Sequence, residues 1–86
     1  MQTTATEETT VLVVDDEQDV ADAYAAQLED EYIVSTAYSG QEALDELDDA
    51  VDVVLLDRRM PGISGDDVLD EIRDRGLACR VAMVTA

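Results

Sequence analysis

Val53-Val54-Leu55-Leu56-Asp57-Arg58-Arg59-Met60-Pro61-Gly62 is the stretch that decides how this chain reads. Four apolar residues run into one carboxylate, and a Pro-Gly turn follows. An unbroken apolar run of this length, edged by turn residues, predicts a strand buried on both faces. Asp57 then stands at the strand's carboxyl end, the edge of an open α/β sheet where ligands bind. A carboxylate there serves as metal ligand or nucleophile. The plainer alternative is a charged residue that ends a strand and opens a turn. What the rest of the chain brings to the same edge separates the two.

Upstream, Val11-Leu12-Val13-Val14 reads as a first buried strand running into Asp15-Asp16-Glu17. Val20, Ala21, Tyr24, Ala25 and Leu28 recur at helical spacing, with acids on the opposite face. Tyr32 to Ala37 is the second strand, and Ser39-Gly40 breaks the chain after it. Ala43, Leu44 and Leu47 mark a short second helix ahead of the strand from Val51 to Asp57. After the loop from Met60 to Gly65, Gly65-Asp66-Asp67 opens a third helix, with Val68, Leu69 and Ile72 facing inward. Acids suit the start of a helix dipole, and Arg73, Arg75 and Gly76 suit its end. Arg80 to Val84 is the fourth strand, with Thr85 after it. Strands alternating with helices at this spacing predict a parallel α/β sheet with right-handed crossovers. A flavodoxin-like order of about 2-1-3-4 is expected, with residues 1–10 as a polar tail and 11–86 as the single domain.

Composition bounds the partners. The 86 residues hold 22 acids against 5 basic residues, all arginine, and the formal net charge is −17. Nucleic acid and anionic membranes are poor partners for such a surface, because phosphate binding needs clustered Lys or Arg. An apolar fraction of 47% is too high for a disordered acidic tail. Acidity on a globular pattern, without lysine, suggests a halophilic protein, since at 1 M salt the Debye length is only about 3 Å. Cys79 is the single cysteine, so no intramolecular disulfide can form, and a small apolar core or edge role is expected. With no leader and no long apolar span in this stretch, a cytoplasmic location is expected.

In the expected order the first and third strands are neighbours, so Asp15, Asp16 and Asp57 converge. Carboxylates brought to 4 Å repel by about 4 kcal/mol per pair at an effective dielectric near 20. A hard divalent cation offsets that, and Mg²⁺ takes carboxylates, water and phosphate oxygens. Nucleotide-binding folds place glycines after the first strand to cradle phosphate; this chain places three acids there. Each residue has a plainer role: Asp15 or Asp16 as helix caps, Thr85 as a β-branched strand residue. Together they match a phosphoryl-transfer site with Asp57 as nucleophile, Mg²⁺ as bridge, and the Thr85 hydroxyl on a phosphoryl oxygen.

On these residues the chain resembles the receiver domain of two-component response regulators. The resemblance rests on Val11 to Asp16 with its acidic pair, Asp57 followed by Met60-Pro61-Gly62, Gly65 opening the third helix, and Val81 to Ala86. It implies that Asp57 is the phosphoacceptor for a sensor histidine kinase, with no turnover of an external substrate. It further implies that Asp15 or Asp16, with Asp57 and the backbone carbonyl of Arg59, holds Mg²⁺, and that Thr85 is the switch hydroxyl. The acidic composition and the Asp57-Arg58-Arg59-Met60-Pro61-Gly62 segment are similar to receivers of halophilic archaea.

The family continues with a fourth helix, a fifth strand ending in lysine and a fifth helix, whereas this stretch stops at Ala86, so a truncated receiver is expected. Without lysine, Arg58 and Arg59 are the candidate substitutes for the phosphoryl's ion-pair partner. An uncovered fourth strand would be an open edge and a homodimer contact. Two other readings follow: a non-phosphorylated interaction or dimerisation module, and a metal-dependent phosphohydrolase. The phosphohydrolase wants an acid two residues past the nucleophile, where Arg59 stands.

Overall fold

The computed structural model describes residues 8–84. The elements alternate as β1 (Thr10–Val14), α1 (Gln18–Leu28), β2 (Ile33–Ala37), α2 (Gly40–Glu46), β3 (Val53–Asp57), α3 (Gly65–Asp74) and β4 (Arg80–Val84). The strands form one parallel sheet in the order β2-β1-β3-β4, as expected. Val14 pairs with Leu56 across β1 and β3, and Asp57 pairs with Val84 across β3 and β4. The carboxyl ends of β1 and β3 are thereby level, which is the register the site requires.

Alternation of side chains along each strand divides the core in two. Leu12, Val14, Val54 and Leu56 point to the side of α2 and α3, where they pack with Ala43, Val68 and Ile72. Val11 and Val13 point to the side of α1 and pack on Ala21. The first side is closed: Leu12, Val54, Leu56 and Val68 are fully buried. The second is thinner, because α1 alone among the described helices covers it, and Val53 and Leu55 are only half-buried there. The expectation that β3 is buried on both faces therefore holds for one face and is corrected for the other.

Several boundaries differ from the sequence-based reading, each for a local reason. Ser39 and Gly40 do not break the chain; they start α2. The Ser39 hydroxyl accepts from Glu42 N–H at 3.0 Å, and the Glu42 carboxylate accepts from Tyr38 N–H at 2.8 Å. These bonds satisfy donors that a helix start leaves unpaired. A full capping box, in which the Ser64 hydroxyl accepts from Asp67 N–H and the Asp67 carboxylate accepts from Ser64 N–H, opens α3. Strand β3 begins at Val53 rather than Val51: Val51 N–H closes a turn on the Asp48 carbonyl at 3.2 Å, and the Asp52 carboxylate accepts Thr10 N–H at 2.9 Å. Tyr32 lies outside β2, and the exposed Ile33 begins this edge strand. Of the tail expected over residues 1–10, residues 1–7 lie outside the described residues, and Thr10 is already paired in β1 with Ile33. Cys79 is half-buried against the α2–α3 core, in keeping with an apolar edge role.

Burial assigns the energy. Leu12 is fully enclosed at 0% exposure, whereas Ile33 on the edge strand is 47% exposed. Leu12→Ala is expected to cost about 3 kcal/mol and Ile33→Ala under about 1 kcal/mol, read as urea midpoints in concentrated salt. Equal costs would contradict this assignment of burial.

Candidate functional site

Strand β1 delivers Asp15 to the sheet edge through four buried residues, Val11 to Val14. Asp15 N–H donates to the Ala37 carbonyl at 3.1 Å, so the backbone beyond the strand stays tied to β2. Asp15 is itself buried, at 8% exposure, and its Oδ1 accepts from Glu17 N–H at 2.9 Å. Helix α1 starts at Gln18, and its cap position is Glu17, which makes no side-chain capping bond. Neither aspartate therefore takes the helix-capping role that the Asp-Asp pair alone would suggest.

Strand β3 delivers Asp57 to the same edge. Its Oδ1 accepts from Arg59 N–H at 3.1 Å, a turn that orients the carboxylate. Behind it the β3–α3 loop closes through Gly65 N–H to the Arg58 carbonyl at 3.0 Å. Gly65 is required there by close approach: a Cβ would collide with the Asp57 carbonyl oxygen and lie 2.8 Å from Arg58 Cα. Met60, buried at 8% exposure, anchors the loop in the core.

Asp15, Asp16 and Asp57 each place a carboxylate oxygen within 4.8 Å of the others. The convergence expected from the strand order is present. The Asp57 pKa lies above the usual carboxylate value, chiefly because the carboxyl is partly buried, an effect opposed by the Arg59 N–H and reinforced by the neighbouring Asp15 and Asp16. The donor set fits Mg²⁺. All three donors are hard oxygens, the type that Mg²⁺ takes, and they would hold the ion together with water.

The remaining candidates fare differently. Thr85 lies outside the described residues; its neighbour Val84 pairs with Asp57. Arg59 contributes its N–H to Asp57. The Arg58 guanidinium sits 3.5 Å from the Asp66 carboxylate at the start of α3, and both side chains are more than half exposed. Arg58 is thus directed to Asp66. The sequence reading missed the part played by Gly65 as a backbone spacer under Asp57; the glycine after Ser64 was visible, but its neighbour in space was not. None of the described helices is long and apolar enough to cross a membrane.

The comparisons agree with this geometry. A protein of Haloferax volcanii, described as a candidate transcriptional regulator, is 65% identical over 80 residues, which cover 92% of this chain and 14% of that protein. The transcriptional regulatory protein CutR of Streptomyces coelicolor is 46% identical over 78 residues, 88% of this chain and 36% of CutR. The chain thus spans well under half the length of these relatives. Among solved structures, the response regulator TrrA of Thermotoga maritima, in complex with Mg²⁺-BeF, superposes with a TM-score of 0.81 at 38% identity, covering 91% of this chain and 70% of TrrA. Residues 11–86 match the response regulator receiver domain. With its 2-1-3-4 parallel sheet and its acidic cluster at the carboxyl edge, the chain belongs to the receiver domain family of response regulators.

Proposed function

We propose that this receiver accepts a phosphoryl group on Asp57 from the phosphohistidine of a sensor histidine kinase, with Mg²⁺ held by Asp15, Asp16 and Asp57. The observation that carries the reading is the meeting of three carboxylates at the ends of two adjacent strands. The Asp57 carboxylate attacks phosphorus, an acyl phosphate forms, and the P–N bond breaks; the imidazole leaves with the electron pair and is reprotonated from solvent. Bound Mg²⁺ supplies charge neutralisation for the carboxylates and the phosphoryl oxygens. Arg59 N–H keeps the nucleophile oriented. The Arg59 carbonyl is assigned as a further metal ligand and Thr85 as the hydroxyl that meets the phosphoryl group; both rest on the family resemblance. The Mg²⁺-BeF complex of TrrA supports Mg²⁺ as the ion. Phosphorylation adds about −1.5 to −2 charges, a change large enough to bias a two-state element. No turnover of an external substrate is part of this reading, and Arg59, where a phosphohydrolase needs its acid, argues against that alternative. The acidic surface is proposed to suit concentrated salt and a cytoplasmic setting.

Phosphorylation by acetyl phosphate with Mg²⁺, read by intact mass, is expected for the wild type and absent in Asp57→Asn. An Asp57→Asn chain that still gains the mass would overturn the assignment. Beryllofluoride with Mg²⁺ at 100 times its dissociation constant should stabilise the wild type by about 2.7 kcal/mol.

A raised pKa also fixes a sign. The folded chain holds the Asp57 proton more tightly than the unfolded chain. The group's stabilising contribution is therefore present below the ordinary carboxylate pKa and is lost as pH rises through the folded-state value. In metal-free buffer, Asp57→Asn should melt higher than wild type at pH 7, with the gap narrowing as pH falls through the carboxylate range. A gap that widens on acidification would refute this electrostatic account.

Self-repulsion at a net charge of −17 should make folding salt-dependent. Melting temperature is expected to climb steadily from 0.1 M to about 1 M KCl, where the Debye length falls from ~10 to ~3 Å. A flat profile would contradict the halophilic reading.

A further inference from the structure

The Asp57 carboxylate is oriented by the loop that follows it, since its Oδ1 takes the Arg59 N–H. What holds that loop is therefore part of the site. Gly65 closes its base, and Met60 anchors its first half in the core. Its second half is gripped from another direction. Gly40, the first residue of α2, is buried, and a Cβ built on it would lie 2.6 Å from the Ile63 carbonyl oxygen. The same Cβ would lie 2.7 Å from Ile63 Cβ and Cγ2. Contacts this short have no room for a methyl group, and two of the three atoms belong to the loop residue's backbone carbonyl and Cβ, which yield only if the loop moves. Glycine is demanded at position 40 by the loop of another βα unit.

The start of α2 is itself fixed. Ser39 caps it through Glu42 N–H, and Glu42 in turn holds Tyr38 N–H. Ala43, one turn on, is fully enclosed in the core beneath the sheet. Gly40 is thus a rigid stop, and Ile63 rests against it. The stop and the carboxylates lie on different segments of the chain, and the loop between Arg58 and Ser64 connects them.

We infer that Gly40 is a positioning residue for the Asp57 site: by seating Ile63 against α2 it sets the β3–α3 loop, and through Arg59 N–H the orientation of the phosphoacceptor carboxylate. The inference rests on the proposed Mg²⁺-dependent function and extends it to a residue outside the acidic cluster. Displacement of groups that orient metal ligands commonly weakens metal binding tenfold or more, and small misplacements of a reacting group are costly.

The experiment uses the whole chain in concentrated salt and three variants. Gly40→Ala pushes Ile63 away from α2. Ile63→Ala leaves the glycine in place and removes the packing between loop and helix. Ile72→Ala, a truncation in the same core on α3, serves as the control for stability alone. Two quantities are read on the folded protein: the Mg²⁺ dissociation constant by calorimetry, and the Arg59 amide resonance in metal-free buffer. Gly40→Ala and Ile63→Ala are each expected to weaken Mg²⁺ by about tenfold and to move the Arg59 amide, while Ile72→Ala lowers the melting temperature and changes neither. If Gly40→Ala does not fold, Ile63→Ala decides by the same two readouts. Wild-type Mg²⁺ affinity and an unmoved Arg59 amide in the folded loop variants would overturn this inference alone. A wild-type chain that binds no Mg²⁺ would overturn the proposed site and the inference with it.

Discussion

Three carboxylates with oxygens inside 4.8 Å of one another repel, and one of them, Asp15, is buried. A fold spends stability to hold such a cluster, and much of the surrounding architecture can be understood as the means of doing so. The central strands β1 and β3 supply the stiffness. They lie in register, with Val14 opposite Leu56, and the inner face of each is sealed. Their ends cannot drift apart without breaking the parallel ladder, so the carboxylates stay together although their charges oppose it. The raised pKa of Asp57 is the electrostatic record of that constraint, with burial first and the neighbouring aspartates after it.

Backbone geometry beyond the strand ends then tunes the cluster. Asp15 is held by Glu17 N–H and Asp57 by Arg59 N–H, two turns of the same kind on adjacent strands. These bonds engage one oxygen of each carboxylate and orient the group. A cation that neutralises the cluster would fit the hard-oxygen donors that remain. The proposed phosphoryl acceptor is in this sense a site of electrostatic conflict that binding resolves.

The sheet is covered unequally. Two helices, α2 and α3, seal one face and make the deeper core, while α1 covers the other and leaves Val53 and Leu55 half-buried. The heavier face is also the one that steadies the β3–α3 loop, because Met60 and Ile63 both pack into its core. The loop that orients Asp57 is therefore anchored on that side of the molecule.

Much of this was legible in the chain itself. Apolar runs ending in acids, helical spacing between them and the absence of a glycine-rich first loop are local patterns, and they led to the strand order, the Asp15-Asp16-Asp57 cluster and the family resemblance. Local patterns succeed where the cause is local: alternation of hydrophobicity and the residue types at strand ends. They fail where one composition serves two local structures, and where the deciding neighbour is remote in sequence. Ser39-Gly40 looked like a break because turn residues and helix caps share a composition; the Ser39 and Glu42 bonds made it a helix start. Val51 and Asp52 looked like strand, yet the Asp52 carboxylate binds the Thr10 amide 42 positions away. The apolar run of β3 by itself reads as buried on both faces; its half-open face follows from the number of helices over each side, which the stop at Ala86 already suggested. Gly40 and Gly65 were readable as glycines but not as spacers, since the atoms that exclude a side chain there, on Ile63, Asp57 and Arg58, are set only when the helices dock against the sheet. Sequence alone determined which residues meet at the sheet edge; tertiary packing decided how they are held, because orientation is a property of contacts between segments and not of any one segment.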